Sequence, residues 1–114
     1  MKLNEYQQEI ARFDVFNISN LTEVNMAFLD KILGLSGESG EVADKVKKII
    51  RDKNGKISEE DKQDLSKELG DVLWYLATSA RYLGLDLENI AQDNIAKLDD
   101  RKARNQISGS GDNR

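Results

Sequence analysis

Histidine, cysteine and proline are all missing from this chain. Without cysteine there is no disulfide framework, no thiolate nucleophile and no sulfur metal site. Without histidine there is no Ser-His-Asp triad, no H-E-x-x-H zinc site and no imidazole to act as acid or base. Any catalysis falls to carboxylates, lysines, hydroxyls or a bound metal. Without proline no helix meets a hard breaker. An excess of positive charge is missing too. Seventeen Lys and Arg face 21 Asp and Glu, a net charge of −4, which argues against a nucleic-acid partner. No apolar run approaches the roughly 18 residues that span a bilayer, so no membrane partner is expected. The opening Met1-Lys-Leu-Asn-Glu-Tyr6 lacks the apolar core of a signal peptide, and a reducing, cytoplasmic location is the expectation.

What is present is a globular composition. The 114 residues are 39% hydrophobic and 33% charged, enough for one domain with a small core. Apolar residues recur at helical spacing and no segment alternates as a strand. The pattern predicts an all-α, antiparallel four-helix bundle-like domain over residues 1–105, completed by oligomerisation, and a flexible Gly/Ser-rich tail over 106–114. The first helix is expected over Asn4–Phe16, with Leu3, Tyr6, Ile10 and Phe13 inward. The second runs from a Thr22 N-cap to about Arg51, along a stripe of Leu29, Ile32, Leu35, Val42, Val46 and Ile49. Asn54-Gly55 marks a turn. Ser58 and Asp61 form a capping box for the third helix, whose stripe is Leu65, Leu69, Val72, Leu76 and Leu83, ending at Gly84. Asp86 opens the fourth, with Leu87, Ile90, Ala91, Asn94 and Leu98 inward. The third helix is apolar on more than one face between Val72 and Leu83. Trp74 lies opposite its core stripe, which makes it a candidate interface residue; packing under the N-terminal helix of its own chain is the equal alternative.

Two acid pairs stand out. Glu38 and Glu41 are three apart on the second helix, and Glu68 and Asp71 are three apart on the third, so each pair shares a helix face. The pairs are symmetric about Asn54-Gly55. An antiparallel hairpin therefore brings them to one height, about 22 Å from the turn at about 1.5 Å rise per residue. Both pairs lie on the same flank of their stripes, and Lys45 and Tyr75 each follow the second acid by four residues. Four converging carboxylates repel one another, and a hard divalent cation compensates them; all-oxygen ligation suits Mg²⁺, with Mn²⁺ as a substitute. Solvated acids on helix surfaces are the plain alternative. Gly37 and Gly40 inside a helix, each costing about 1 kcal/mol, suit a close approach by a ligand; close packing of two helices at Gly40 and Gly70 is the alternative. On the fourth helix Asn94, Lys97 and Arg101 share a narrow arc. Asn94, in an apolar stripe, needs a polar partner, while the two cations also complement the helix dipole. Asp52-Lys-Asn-Gly-Lys-Ile-Ser58 is not an EF-hand loop, since aligning Gly55 puts Ile50 where Asp is required.

Gly34-Leu-Ser-Gly-Glu38-Ser-Gly-Glu41-Val42, Lys67-Glu68-Leu-Gly-Asp71-Val-Leu-Trp-Tyr75 and Asn94-Ile-Ala-Lys97-Leu-Asp-Asp-Arg101 together resemble the MazG-like nucleotide pyrophosphohydrolases. The resemblance spans Tyr6 to about Arg104. It implies a Mg²⁺-dependent enzyme that hydrolyses a nucleoside or deoxynucleoside triphosphate to the monophosphate and pyrophosphate, assembled as a dimer or tetramer. It implies Glu38, Glu41, Glu68 and Asp71 as metal ligands. Lys97 and Arg101 would hold phosphates, Asn94 and Tyr75 would face the nucleotide, and Lys45 is a further phosphate candidate. Many members carry a second Glu just before the first ligand; here it is Gly37, which leaves the catalytic base open, with Glu38 the best candidate. The ending Gly109-Ser-Gly-Asp-Asn-Arg114 resembles tails on some small members. A phosphoribosyl-ATP pyrophosphohydrolase is the alternative within this chemistry, and a non-catalytic helical dimerisation module the alternative outside it.

Overall fold

The computed structural model describes all 114 residues, and it is all-α, with no strand. The elements are α1 (Leu3–Glu9), a 3-10 turn (Ile10–Phe13), α2 (Met26–Lys53), α3 (Glu59–Tyr82) and α4 (Leu87–Ala103). No helix is long and apolar enough to cross a membrane.

The long helices α2 and α3 form the antiparallel hairpin that the acid pairs require, and they pack along one another. Asn54 ends α2 in the left-handed region (φ 54°), Gly55 follows at φ 80°, and the Gly55 N–H closes on the Ile49 carbonyl at 3.1 Å. Asn tolerates this region and glycine has no Cβ to oppose it. Three residues later Ser58 Oγ accepts from the Asp61 N–H at 3.1 Å, while Asp61 accepts in return from the Ser58 N–H at 2.9 Å. Lys53 Nζ, 2.8 Å from Asp61, ties the end of α2 to the start of α3. This bond and the Ser58 cap hold the Asp61 carboxyl down at a pKa of about 2.

The N-terminal segment departs from expectation in both directions. The first helix tightens into the 3-10 turn at Ile10 and stops at Asp14, two residues before Phe16, with Asp14 extended. The cause is the Asp14 side chain, which turns inward: it is 1% exposed and lies 2.7 Å from the Arg81 guanidinium and 3.7 Å from Lys31 Nζ, and it accepts from the Tyr82 hydroxyl. The second helix begins at Met26, not at Thr22, and its N-cap is Asn25, whose side chain accepts from the Phe28 N–H at 2.8 Å. Asn20 and Leu21 are held elsewhere. The Leu21 N–H donates to the Tyr82 carbonyl at 2.8 Å, and Asn20 lies against Gly84, at φ 73°, so tightly that any Cβ there would meet its side-chain oxygen.

The core gathers at the C-terminal end of α3, around Ile10, Ala77, Ala80 and Leu87, with Tyr6, Trp74 and Ile90 packed against it. Polar clamps fix α1 there. Gln7, 6% exposed, donates to the Ala77 and Leu85 carbonyls and accepts from the Leu87 N–H, and Asn4 exchanges two hydrogen bonds with Glu88. Each satisfies end groups of α3 or α4 that burial would otherwise leave unpaired. The apolar stripes behave differently from expectation. Ile49 is buried, but Leu29, Ile32, Val46, Leu69, Leu76, Leu83 and Leu98 are all exposed in the single chain, as are Leu3 and Phe13 of the first stripe. Helix α4 packs on α1 and does not run along the hairpin. One chain is therefore a long hairpin with the short α1 and the 17-residue α4 at its open end, a bundle left open on one face.

Candidate active site

The hairpin brings the acid pairs together. Glu38 from α2 and Glu68 and Asp71 from α3 each place a carboxylate oxygen within 4.8 Å of the others. Glu38 and Glu68 are half-buried and Asp71 is exposed. Glu41, also exposed, stands outside this trio. It is nonetheless close enough to act on Glu38. Burial first, then the charges of Asp71, Glu68 and Glu41, then a shared hydrogen bond with Glu68, push the Glu38 carboxyl above its ordinary range. The one cation beside the trio is Lys45, whose Nζ lies 3.6 Å from Glu68. One lysine at that distance leaves the acids under-compensated. The donor set is all carboxylate, from two rigid helices, and it fits a hard divalent cation of the Mg²⁺ or Mn²⁺ kind.

Tyr75 lies one turn beyond Asp71 on α3. Its ring rests on the backbone of α2 at Gly34, where any Cβ would fall inside the ring, and meets the edge of Trp74 at 5.0 Å between centroids. This is the close helix approach that the glycines suggested, at a different glycine. In front of Gly37, Gly40 and Gly70 a Cβ would meet nothing within 4 Å, so helix packing at Gly40 and Gly70 is not what the structure contains. Trp74 is half-buried against its own core, with Lys31 Nζ 5.8 Å over its ring; of the two readings of this residue, packing within its own chain describes what is observed.

The α4 residues form a second group. Asn94 is exposed, without the side-chain hydrogen bond that an inward position would demand, and lines an open depression with Ile90, Asp93 and Lys97. Lys97 and Arg101 converge, as their spacing implies, but their partner is the tail: Lys97 Nζ lies 3.0 Å and Arg101 NH2 3.3 Å from the Asp112 carboxylate. Residues 105–114 form turns and bends, and Arg114 donates to the Ile107 and Gly111 carbonyls. Within one chain no hydrogen bond or ion pair joins Asn94, Lys97 or Arg101 to the acidic trio.

Two participants escaped the sequence. Tyr6 of α1 is half-buried against the core, and its phenol is raised first by burial and then by the charge of Asp71. Asp112 is the other. Neither has a sequence signal: Tyr6 reads as one more residue of an apolar stripe, and Asp112 as part of a polar tail.

An all-α hairpin that converges carboxylates from both helices offers a candidate site for a divalent cation. Comparison with known families narrows the class. A family model described as the MazG nucleotide pyrophosphohydrolase domain matches residues 27–105, which contain both acid pairs and the α4 cations, and the chain belongs to that family. It is also similar to the Gene 37 protein of Mycobacterium phage L5, 55% identical over 82 residues, which cover 72% of each chain. No solved structure matches it.

Proposed function

We propose that this chain is a Mg²⁺-dependent nucleoside triphosphate pyrophosphohydrolase, releasing pyrophosphate and leaving the monophosphate. The observation that carries this reading is the convergence of Glu38, Glu68 and Asp71 within 4.8 Å, inside the segment that matches the family. Glu68 and Asp71 would hold the cation together with Glu38, and Glu41, one turn along α2, would complete the set. A bound divalent cation would neutralise the polyphosphate and lower the pKa of water. The chain's own residues do the rest. Glu38 orients the attacking water and takes its proton, the role open to a carboxylate where imidazole is absent. Lys45, 3.6 Å from Glu68, would meet a phosphate oxygen entering the cluster. Tyr75 offers an aromatic wall to the nucleotide, Asn94 a hydrogen-bonding amide, and Lys97 and Arg101 the cations for its outer phosphates. Such an enzyme would work on the nucleotide pool of the cytoplasm.

We further propose that the working form is an oligomer, dimer or tetramer. Only 11 of 114 residues are buried, and Leu69, Leu76 and Leu83, seven apart on one line of α3, are exposed. The radius of gyration is 16.9 Å, against about 13 Å for a compact domain of this length. A second copy covering the α2–α3 face would bury that stripe and close the bundle. Trp74 would support this face from beneath.

The test is a panel of canonical and modified nucleotides, including a phosphoribosylated one, assayed for pyrophosphate against single-phosphate release with Mg²⁺. Asp71→Asn should lower turnover at least about 100-fold, as loss of a metal ligand does, with helicity unchanged. Equal turnover by the variant, or release of single phosphates, would overturn the reading.

A further inference from the structure

The contact between α4 and the tail contains an imbalance. Arg101 is 4% exposed, yet its counter-ion, Asp112, has a side chain 82% exposed to water. A buried guanidinium needs its charge compensated and its donors satisfied. Only NH2 finds partners, the Asp112 carbonyl at 2.5 Å and its carboxylate at 3.3 Å; Nε is buried with no partner at all. Lys97, with Nζ at 3.0 Å from the same carboxylate, adds a second positive charge at the same point. Two cations with spare donors, closed on one carboxylate, have the make-up of a site for an anion with more oxygens than an aspartate has. The Asp112 carboxyl is itself held below its ordinary range, by the Lys97 bond first and then by Arg101.

We infer that Asp112 is a built-in occupant of the Lys97–Arg101 anion subsite, and that a phosphate group of the substrate or of pyrophosphate must displace the tail in order to bind there. The assignment of that anion as a phosphate rests on the function proposed above; the occupied subsite does not. The tail lowers the affinity for phosphates without touching the acids that act on water. Arg114 closes the tail on itself through the Ile107 and Gly111 carbonyls, and Arg104 at the end of α4 donates to the Arg114 carbonyl at 2.7 Å, so the tail is tethered beside the subsite when Asp112 is displaced.

The experiment uses the full chain and inorganic pyrophosphate with Mg²⁺, titrated calorimetrically. Asp112→Asn keeps the tail and the backbone carbonyl contact but removes the competing charge. It should bind pyrophosphate about fivefold more tightly than wild type, the scale expected from two weak ion pairs. For the nucleotide substrate KM should fall by a similar factor with kcat unchanged. Lys97→Ala should abolish the gain. In wild type, hydrogen exchange over residues 106–114 should speed up when pyrophosphate binds. Equal affinity of wild type and Asp112→Asn, or slower exchange of the tail on binding, would overturn the inference. Pyrophosphate binding to neither chain overturns it as well. Hydrolysis is assayed separately. If it proceeds while Asp112→Asn behaves as wild type, only the tail inference falls; if neither chain hydrolyses any nucleotide, the enzyme reading falls.

Discussion

Asp14 is the residue on which the N-terminal half of the fold turns. It accepts from the Tyr82 hydroxyl and pairs with Arg81, with Lys31 3.7 Å away, so α1, α2 and α3 meet at one nearly inaccessible carboxylate. Burial alone would raise its pKa. The Tyr82 hydroxyl, the Phe16 N–H, Lys31 and Arg81 outweigh burial and hold it below the ordinary carboxylate value. A carboxyl whose folded pKa is depressed stabilises the fold above its unfolded value of about 4, and that stability is lost as pH falls through the lowered one. Removing the hydroxyl takes away one of these supports. Tyr82→Phe should cost about 2 kcal/mol at pH 7, the scale of a hydrogen bond to a charged group, and less at pH 3, in the direction in which the Asp14 charge is lost. Urea unfolding at both pH values checks it, and a cost that does not shrink in acid would remove the charge from the explanation. Nothing in the sequence joins positions 14, 31, 81 and 82. Their separations follow no helical or strand period, so this cluster is visible only once the chain has folded.

Helices α3 and α4 were legible because their limits are set by local chemistry. Ser58 with Asp61, Gly84 and Asp86 act within a few residues of themselves, and a reader of the sequence sees all the partners at once. The end of α1 is set by the distant partners of Asp14, and Asn20 and Leu21 are held by Gly84 and Tyr82, which is why Phe16 is not the end and Thr22 is not the cap of α2, whose own Asn25 cap and Asn54-Gly55 stop are local. The acid pairs fall in the first category: symmetry about Asn54-Gly55 is a sequence property that a hairpin converts directly into proximity. The glycines divide in the same way. That some glycine allows close approach was readable, but which one depends on where the Tyr75 ring lies. A methyl at Gly34 would fall inside that ring, so Gly34→Ala should destabilise the chain by about 1–3 kcal/mol through overpacking. Gly40→Ala adds a methyl to open space and should stabilise helix α2 by about 1 kcal/mol. Thermal unfolding followed by circular dichroism compares the two; a Gly40→Ala chain as damaged as Gly34→Ala would mean that something in the working protein occupies the space before Gly40.

For the whole molecule, burial is the quantity that decides. The sequence suggested a bundle completed by oligomerisation, and the helices it needs are all present, but part of each apolar stripe is left exposed in one chain. A stripe reads the same in a sequence whether its cover is the same chain or another, and this is why the helix faces were predictable and their partners were not. If a second copy supplies the cover, sedimentation should give at least twice the 12.9 kDa of the chain, and the melting temperature should rise with protein concentration. Leu76→Lys, in the middle of the exposed α3 line, should shift the protein to a monomer and remove that concentration dependence. A wild-type monomer at all concentrations would leave the exposed leucines to some other partner.

The edge contact of Trp74 with Tyr75 has a practical side. This is the only tryptophan in the chain, and its neighbour across 5.0 Å is the tyrosine that rests on Gly34, one helical turn from Asp71 and from Glu38 respectively. Lys31, drawn from the Asp14 cluster, stands over the indole ring at 5.8 Å. One indole thus touches both the crossing that holds the acids and the knot that holds the N-terminus. Its fluorescence is an unlabelled optical gauge placed between them, able to register in real time whether a ligand arriving at one end of the hairpin is felt at the other.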